Sequence, residues 1–225
     1  MKRFLGTVTI GQAPRVDIMA DIIPILGNDI EIVESGALDG LTKEDIMGMA
    51  PKRGDYVLVT RLNDGSSVTV AERYIIPRVE EKIREHFRRD IPVVLLLCTG
   101  DFPAFSIGGK GLLIRPQRIL YNVVQAVAES TRLAVITPSK DQLAQAKGRW
   151  EKVSKELSVV YASPYGDFSQ IDNAIDMLQS YKPDVVIMDC MGYTVEMQDM
   201  VRQHVGKPVL LARSLVARIV KDMFG

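Results

Sequence analysis

The chain has 225 residues, 47% hydrophobic and 25% charged, with 28 basic side chains balancing 28 acidic ones. That length suits one sizeable core or two small lobes, and the balance excludes the cationic excess of a nucleic-acid binder. The longest apolar runs, such as Val93–Cys98, are strand-sized and too short for a bilayer. The opening stretch "MKRFLGTVTIGQAPR" has no convincing cleavage site, so it reads as a first strand and the protein as cytoplasmic. There its two cysteines, Cys98 and Cys190, stay reduced. His86 and His204 sit on helix-like stretches without a nearby cysteine or second histidine. Both are read as solvated helix histidines, and no metal is expected.

In chain order, strands are predicted at Phe4–Ile10, Ile30–Val33, Tyr56–Thr60, Val93–Cys98, Leu133–Thr137, Val159–Ala162, Val185–Asp189 and Val209–Leu211. Helices are predicted near Val16–Leu26, Lys43–Met49, Ala71–Arg88, Gln117–Glu129, Asp141–Leu157, Ser169–Ser180, Val195–Val205 and Ser214–Met223. Such alternation is the pattern of a parallel α/β sheet. Asp64-Gly65, between two β-prone runs, signals one antiparallel hairpin. At Arg132 the chain starts again, with "RLAVITPS" echoing "KRFLGTVTIG". The expected architecture is therefore α/β with two similar lobes, each a parallel sheet flanked by helices, sharing an interlobe cleft. The first lobe takes residues 1–115 plus 213–225 and the second 116–212, with a boundary near Leu113–Pro116 and the last helix returning to the first lobe.

"IPVVLLLCTG" and "KPDVVIMDCMG" each run from a proline through an apolar stretch to Cys-x-Gly. In open parallel sheets ligands bind beyond the carboxyl ends of the strands, and a helix N-terminus there favours thiolates and carboxylates. Taken alone, either cysteine reads as a small buried hydrophobe. As equivalent residues of two repeats they read as a two-base site, one thiolate removing a proton from carbon and the opposite thiol returning one. At least one of them is then expected to ionise more readily than an ordinary thiol. Gly100 and Gly192 let a substrate approach the backbone. Gln12 and Arg15, after the first strand, could reach a carboxylate, or could form a plain turn with Arg15 solvated. Thr137 and Ser139 offer hydroxyls, with a plain helix cap as the alternative reading of Ser139. "GDFPAFSIGGKG" fails the phosphate-loop spacing and reads as a mobile flap. "GTVTIGQAPR" lacks the three-glycine dinucleotide pattern, so no nicotinamide site is expected.

"TIGQAPRVD", "ESGALDGLTKEDI", "TRLNDGSSVTV", "IRPQRIL" and "VVIMDCMGY" together resemble the AroM family of bacterial proteins across nearly the whole chain. That family looks like a branch of the aspartate/glutamate racemase superfamily, whose members use paired α/β lobes and cysteines without any cofactor. The resemblance implies that Cys98 and Cys190 take the two cysteine positions, with Thr99 and Tyr193 among the substrate-binding residues. Superfamily cysteines are commonly followed by Asn or Thr, which Thr99 matches and Met191 does not. A Thr-Pro-Tyr segment of the isomerase and decarboxylase branches is here Thr-Pro-Ser, placing Ser139 at the tyrosine position.

The expected activity is a cofactor-independent racemase or isomerase acting on a small carboxylate. One cysteine acting as a covalent nucleophile, and a non-catalytic sensor of a small anionic metabolite, are the alternatives. The expected partners are that carboxylate and, for assembly, a homodimer, with neither nucleic acid nor membrane.

Overall fold

A computed structural model of the chain describes residues 3–108, 111–128, 130–154 and 156–225. The chain divides into two compact units, Met1–Gln117 with Val220–Gly225, and Arg118–Ile219.

The first unit contains β1 (Arg3–Thr9), α1 (Val16–Leu26), β2 (Ile30–Gly36), α2 (Lys43–Met47), β3 (Val57–Arg61), β4 (Ser67–Ala71), α3 (Glu72–Arg88), β5 (Val93–Leu96) and β6 (Leu112–Ile114). α4 (Pro116–Val127) begins at its edge. Its main sheet is parallel throughout, in the order β2-β1-β5-β6. β3 and β4 form the expected hairpin around Asp64-Gly65, and β3 alternates between half-buried and buried residues as a one-sided antiparallel strand should. α3 buries Ile75, Val79, Ile83 and His86, the i, i+4, i+8, i+11 stripe of an amphipathic helix. Each aliphatic member contributes roughly 1.5–3 kcal/mol by leaving water. The stripe corrects the reading of His86 as solvated. Its ring is 2% exposed, packs against Gly6 of β1 and lies 2.9 Å from the Ser35 hydroxyl. A side chain at Gly6 would place its Cβ 2.9 Å from that ring, so the glycine makes the space the imidazole fills. Burial lowers the His86 pKa.

The second unit contains the rest of α4, β7 (Leu133–Thr137), a 3-10 turn (Lys140–Gln142), α5 (Leu143–Trp150), β8 (Leu157–Tyr161), α6 (Ser169–Tyr181), β9 (Val185–Met188), α7 (Val195–Val205), β10 (Val209–Leu211) and most of α8 (Ala212–Phe224). Its sheet is again all parallel, in the order β10-β9-β7-β8. β7 and β9 are buried along their whole length, as strands covered on both faces must be, and their sequences are accordingly unbroken apolar runs apart from the final Thr137. The order is the same in both units when β1, β2, β5 and β6 are matched with β7, β8, β9 and β10. Equivalent backbone bonds follow: the amide of Ala37 donates to Thr9, and that of Ala162 to Thr137.

Leu112–Ile114 is the paired strand β6, overlapping the stretch near Leu113–Pro116 where a lobe boundary is expected. The helix expected over Asp141–Leu157 ends at Trp150, whose buried indole fixes the turn, and Leu157 opens β8; Lys155 lies outside the described residues, as does Glu129. The final residues of α8 join the first unit, where Lys221 donates to the Leu26 carbonyl at 2.8 Å.

Candidate functional site

In each sheet the chain moves one way from the first strand (β1 to β2, β7 to β8) and the other way from the strand that precedes the cysteine (β5 to β6, β9 to β10). Loops leaving neighbouring strands in opposite directions open a crevice beyond their carboxyl ends, where open α/β sheets bind ligands. Cys98 lies two residues past β5 and Cys190 two residues past β9, each beside such a switch point. The backbone repeats there atom for atom. The amide of Leu97 donates to Val8 at 2.8 Å and that of Asp189 to Ile136 at 2.9 Å. The amide of Gly100 then donates to Cys98 Sγ, and that of Gly192 to Cys190 Sγ, both at 3.3 Å. An N–H aimed at sulfur is a bond that a thiolate uses more fully than a thiol. Both thiols are half-buried, and neither is in a disulfide.

In the first unit the loop between β1 and α1 is held tightly. Asp39 accepts from the amides of Ala13 and Gly36, Glu34 accepts from the Arg15 amide, and Gln12 accepts from the Asn63 amide of the hairpin. Gln12 also donates to Leu38 at 3.4 Å. The loop does not leave Arg15 solvated: the residue is 3% exposed and α1 starts one residue after it. Its guanidinium grips Asp17 with both Nε and Nη2, at 2.8 and 2.7 Å, and donates from Nη1 to Thr9 Oγ1 at 3.1 Å. Arg15, Asp17 and Arg61 border a cavity of about 280 Å³ between this loop and the hairpin. Cys98 is not among the cavity's lining residues. Thr99 is buried, and Gly100 packs against Leu58 and Phe102 so closely that a Cβ there would lie 3.0 Å from Leu58. The segment read as a flap is tethered through Ser106, whose amide donates to Glu80 and whose carbonyl accepts from Arg84. Gly109 and Lys110 lie outside the described residues.

In the second unit Thr137 is buried at the end of β7, and Ser139 caps the 3-10 turn by accepting from the Asp141 amide. Tyr193 is fully buried and donates its hydroxyl to Ala162 at 2.7 Å, so its phenol is a strut of the core beneath the Cys190 loop. Burial pushes its pKa well up, followed by the Cys190 and Asp189 charges.

The sequence profile of the AroM protein family matches residues 5–224. The chain belongs to the AroM family. No curated protein matches it. Among solved structures it is similar to allantoin racemase from Klebsiella pneumoniae, at 13% identity and a TM-score of 0.62, covering 99% of this chain and 87% of that one. A maleate cis-trans isomerase from Nocardia farcinica, bound to TRIS, gives 14% identity and 0.64 over 99% and 92%. Glutamate racemase from Francisella tularensis, in complex with D-glutamate, gives 9% and 0.58 over 99% and 81%. At these identities the likeness is one of fold.

Several residues of this AroM chain that shape the site were not singled out from the sequence. Asp189, next to Cys190, is buried and accepts from the Trp150 indole at 2.8 Å and from the Arg149 guanidinium. The Pro164-Tyr165 turn lies against Gly192, where a Cβ would come within 2.6 Å of the Tyr165 hydroxyl. Glu72, at the start of α3, has its pKa raised by burial and by Asp101 of the Cys98 loop. Arg213 is fully buried and donates to the carbonyls of Met191 and Gly192. An arginine inside the apolar run "LLARSLVARIV" was the available signal. Among the described residues no cluster of His, Cys, Asp and Glu is placed to hold a metal ion, and no helix is long and apolar enough to cross a membrane.

Proposed function

We propose that this AroM protein is a cofactor-independent racemase or isomerase of a small carboxylate, with Cys98 and Cys190 as its acid and base. The observation that carries the reading is the repeated local geometry: one cysteine per unit, at the same switch point of the same strand order, with the same amide-to-sulfur bond at 3.3 Å. Membership of the AroM family and a fold shared with racemases and isomerases support it. In this reading the two cysteine-bearing edges face one cleft. One thiolate takes the proton from the carbon next to the carboxylate and the opposite thiol delivers a proton to the other face, so the charge on the pair is conserved. The amides of Gly100 and Gly192 steady whichever sulfur is anionic. Thr99, Gln12, Thr137 and Ser139 supply hydrogen bonds to the carboxylate, with Arg15 holding the first-unit loop in shape and adding positive charge. Tyr193 supports the second-unit loop from below.

The test is proton exchange in deuterated water over a panel of small chiral carboxylates and hydantoins, followed by NMR. Deuterium entering the substrate's acidic C–H position in the unsubstituted protein, and in neither Cys98→Ser nor Cys190→Ser, is the expected result. Binding without exchange would make the chain a small-anion-binding module, and a covalent adduct on one cysteine would make that cysteine a nucleophile.

A further inference from the structure

We propose that Arg213 is a positioning residue that sets the reactivity of Cys190 through the peptide unit joining Met191 to Gly192. The carbonyl of Met191 and the amide of Gly192 are the two ends of one planar group, and in a trans peptide they point in opposite directions. Arg213 Nε donates to that carbonyl at 2.9 Å, while the amide at the other end donates to Cys190 Sγ at 3.3 Å. Guanidinium, carbonyl, amide and sulfur therefore stand in one row. A positive charge on the carbonyl end polarises the peptide and strengthens the N–H bond at its far end. Arg213 Nη2 holds the next carbonyl, that of Gly192, at 2.8 Å, so the rigid fork grips two successive peptides and fixes their orientation. Were the first peptide to turn over, its carbonyl rather than its amide would face the sulfur.

The surroundings match this role. Arg213 is 0% exposed, near the start of α8, and donates to two successive carbonyls of the cysteine loop. The loop is closed off by the Pro164-Tyr165 turn, which leaves no room for a side chain at Gly192. Met191 itself points into the core, 1% exposed, so its side chain contributes nothing polar. The residue after Cys190 thus acts through its backbone, which accounts for a methionine where a hydrogen-bonding side chain was expected.

The inference rests on Cys190 being a working thiol, but its test reads the sulfur directly and needs no substrate. Alkylation of Cys190 by iodoacetamide is followed against pH in the Cys98→Ser background, with Arg213 intact or changed to Lys or Met. Arg213→Met is expected to slow labelling at pH 7 about tenfold and to move the labelling midpoint up by about one pH unit. Arg213→Lys, which keeps the charge but loses the fork, should lie between. Cys98, read in the Cys190→Ser background, should label equally with and without Arg213. A second measurement needs no change at Arg213: in the Cys98→Ser protein, the NMR resonances of Gly192 N–H and Arg213 Nε–H should both shift with the alkylation midpoint of Cys190. Resonances that ignore the thiol's titration, or an unchanged labelling profile in a folded Arg213 variant, would overturn the inference alone. A Cys190 that labels only after unfolding would overturn both it and the two-thiol reading.

Discussion

Separating Arg15 from Asp17 tests how the first-unit loop is built. The guanidinium is 4% exposed and the carboxylate 17%, and they share two hydrogen bonds of 2.7–2.8 Å. Removing one member of a largely buried pair costs about 3–5 kcal/mol. Asp17→Asn leaves a buried guanidinium facing an amide and should fall within that range. Arg15→Met leaves Asp17 with Arg61, whose Nη1 is already 3.9 Å away, so its cost should sit lower, at about 2–3 kcal/mol, near the worth of a single charge-assisted bond. Urea denaturation at neutral pH, with the m-value checked for constancy, measures both. Calorimetric titration with a small dicarboxylate such as succinate provides the contrast. If Arg15 instead served mainly as an open cation for ligand, Arg15→Met would weaken binding by on the order of 2 kcal/mol or more and leave stability within about 0.5 kcal/mol. That pattern would refute the reasoning.

Gly36→Ala should abolish folding or displace the β1–α1 loop, because a Cβ there would lie 2.5 Å from the Gly11 carbonyl and 2.7 Å from the Ala13 amide, backbone atoms that cannot step aside; soluble yield and circular dichroism decide it. His86, with its pKa lowered by burial, binds a proton more readily unfolded than folded. Its contribution is therefore complete above an ordinary pKa of about 6.5 and is lost as pH falls through the folded value, so His86→Gln should flatten the stability profile on that acid side. Glu72 has the opposite sign: its raised pKa means stability is intact below 4.5 and declines as pH rises through the folded value. Glu72→Gln should accordingly gain stability at pH 7 relative to wild type and gain none at pH 4, read by thermal melting.

Sequence alone carried the parallel strands furthest where burial is complete. Leu133–Thr137, buried throughout, has its predicted bounds, because an apolar run closed by Pro138 leaves little choice, and Val209–Leu211 matches too although Leu210 is half-buried. α1 and α7 also match, their apolar spacing being regular. β6 escaped because it has only three residues, one of them the half-exposed Leu112, and Pro116 beside it looked like a junction. His86 was misread because a charge-bearing residue outweighed its place on the apolar stripe; Gly6, opposite it, was the missing clue. The bracing of the candidate site was least legible. Arg15 and Asp17 are two residues apart, a spacing without regular meaning at a helix start, and Arg213 reaches back 21 and 22 residues to the Cys190 loop. Such contacts depend on where strands end in space, which no local pattern encodes.

A crystal structure with a small carboxylate bound addresses the central claim most directly, through the separation of the Cys98 and Cys190 sulfurs. Two thiols serving opposite faces of one carbon, each at a near-attack distance of about 3–3.5 Å, should stand roughly 7 Å apart with the ligand between them. Sulfurs well beyond about 10 Å, or a carboxylate seated away from both, would contradict a shared two-cysteine site.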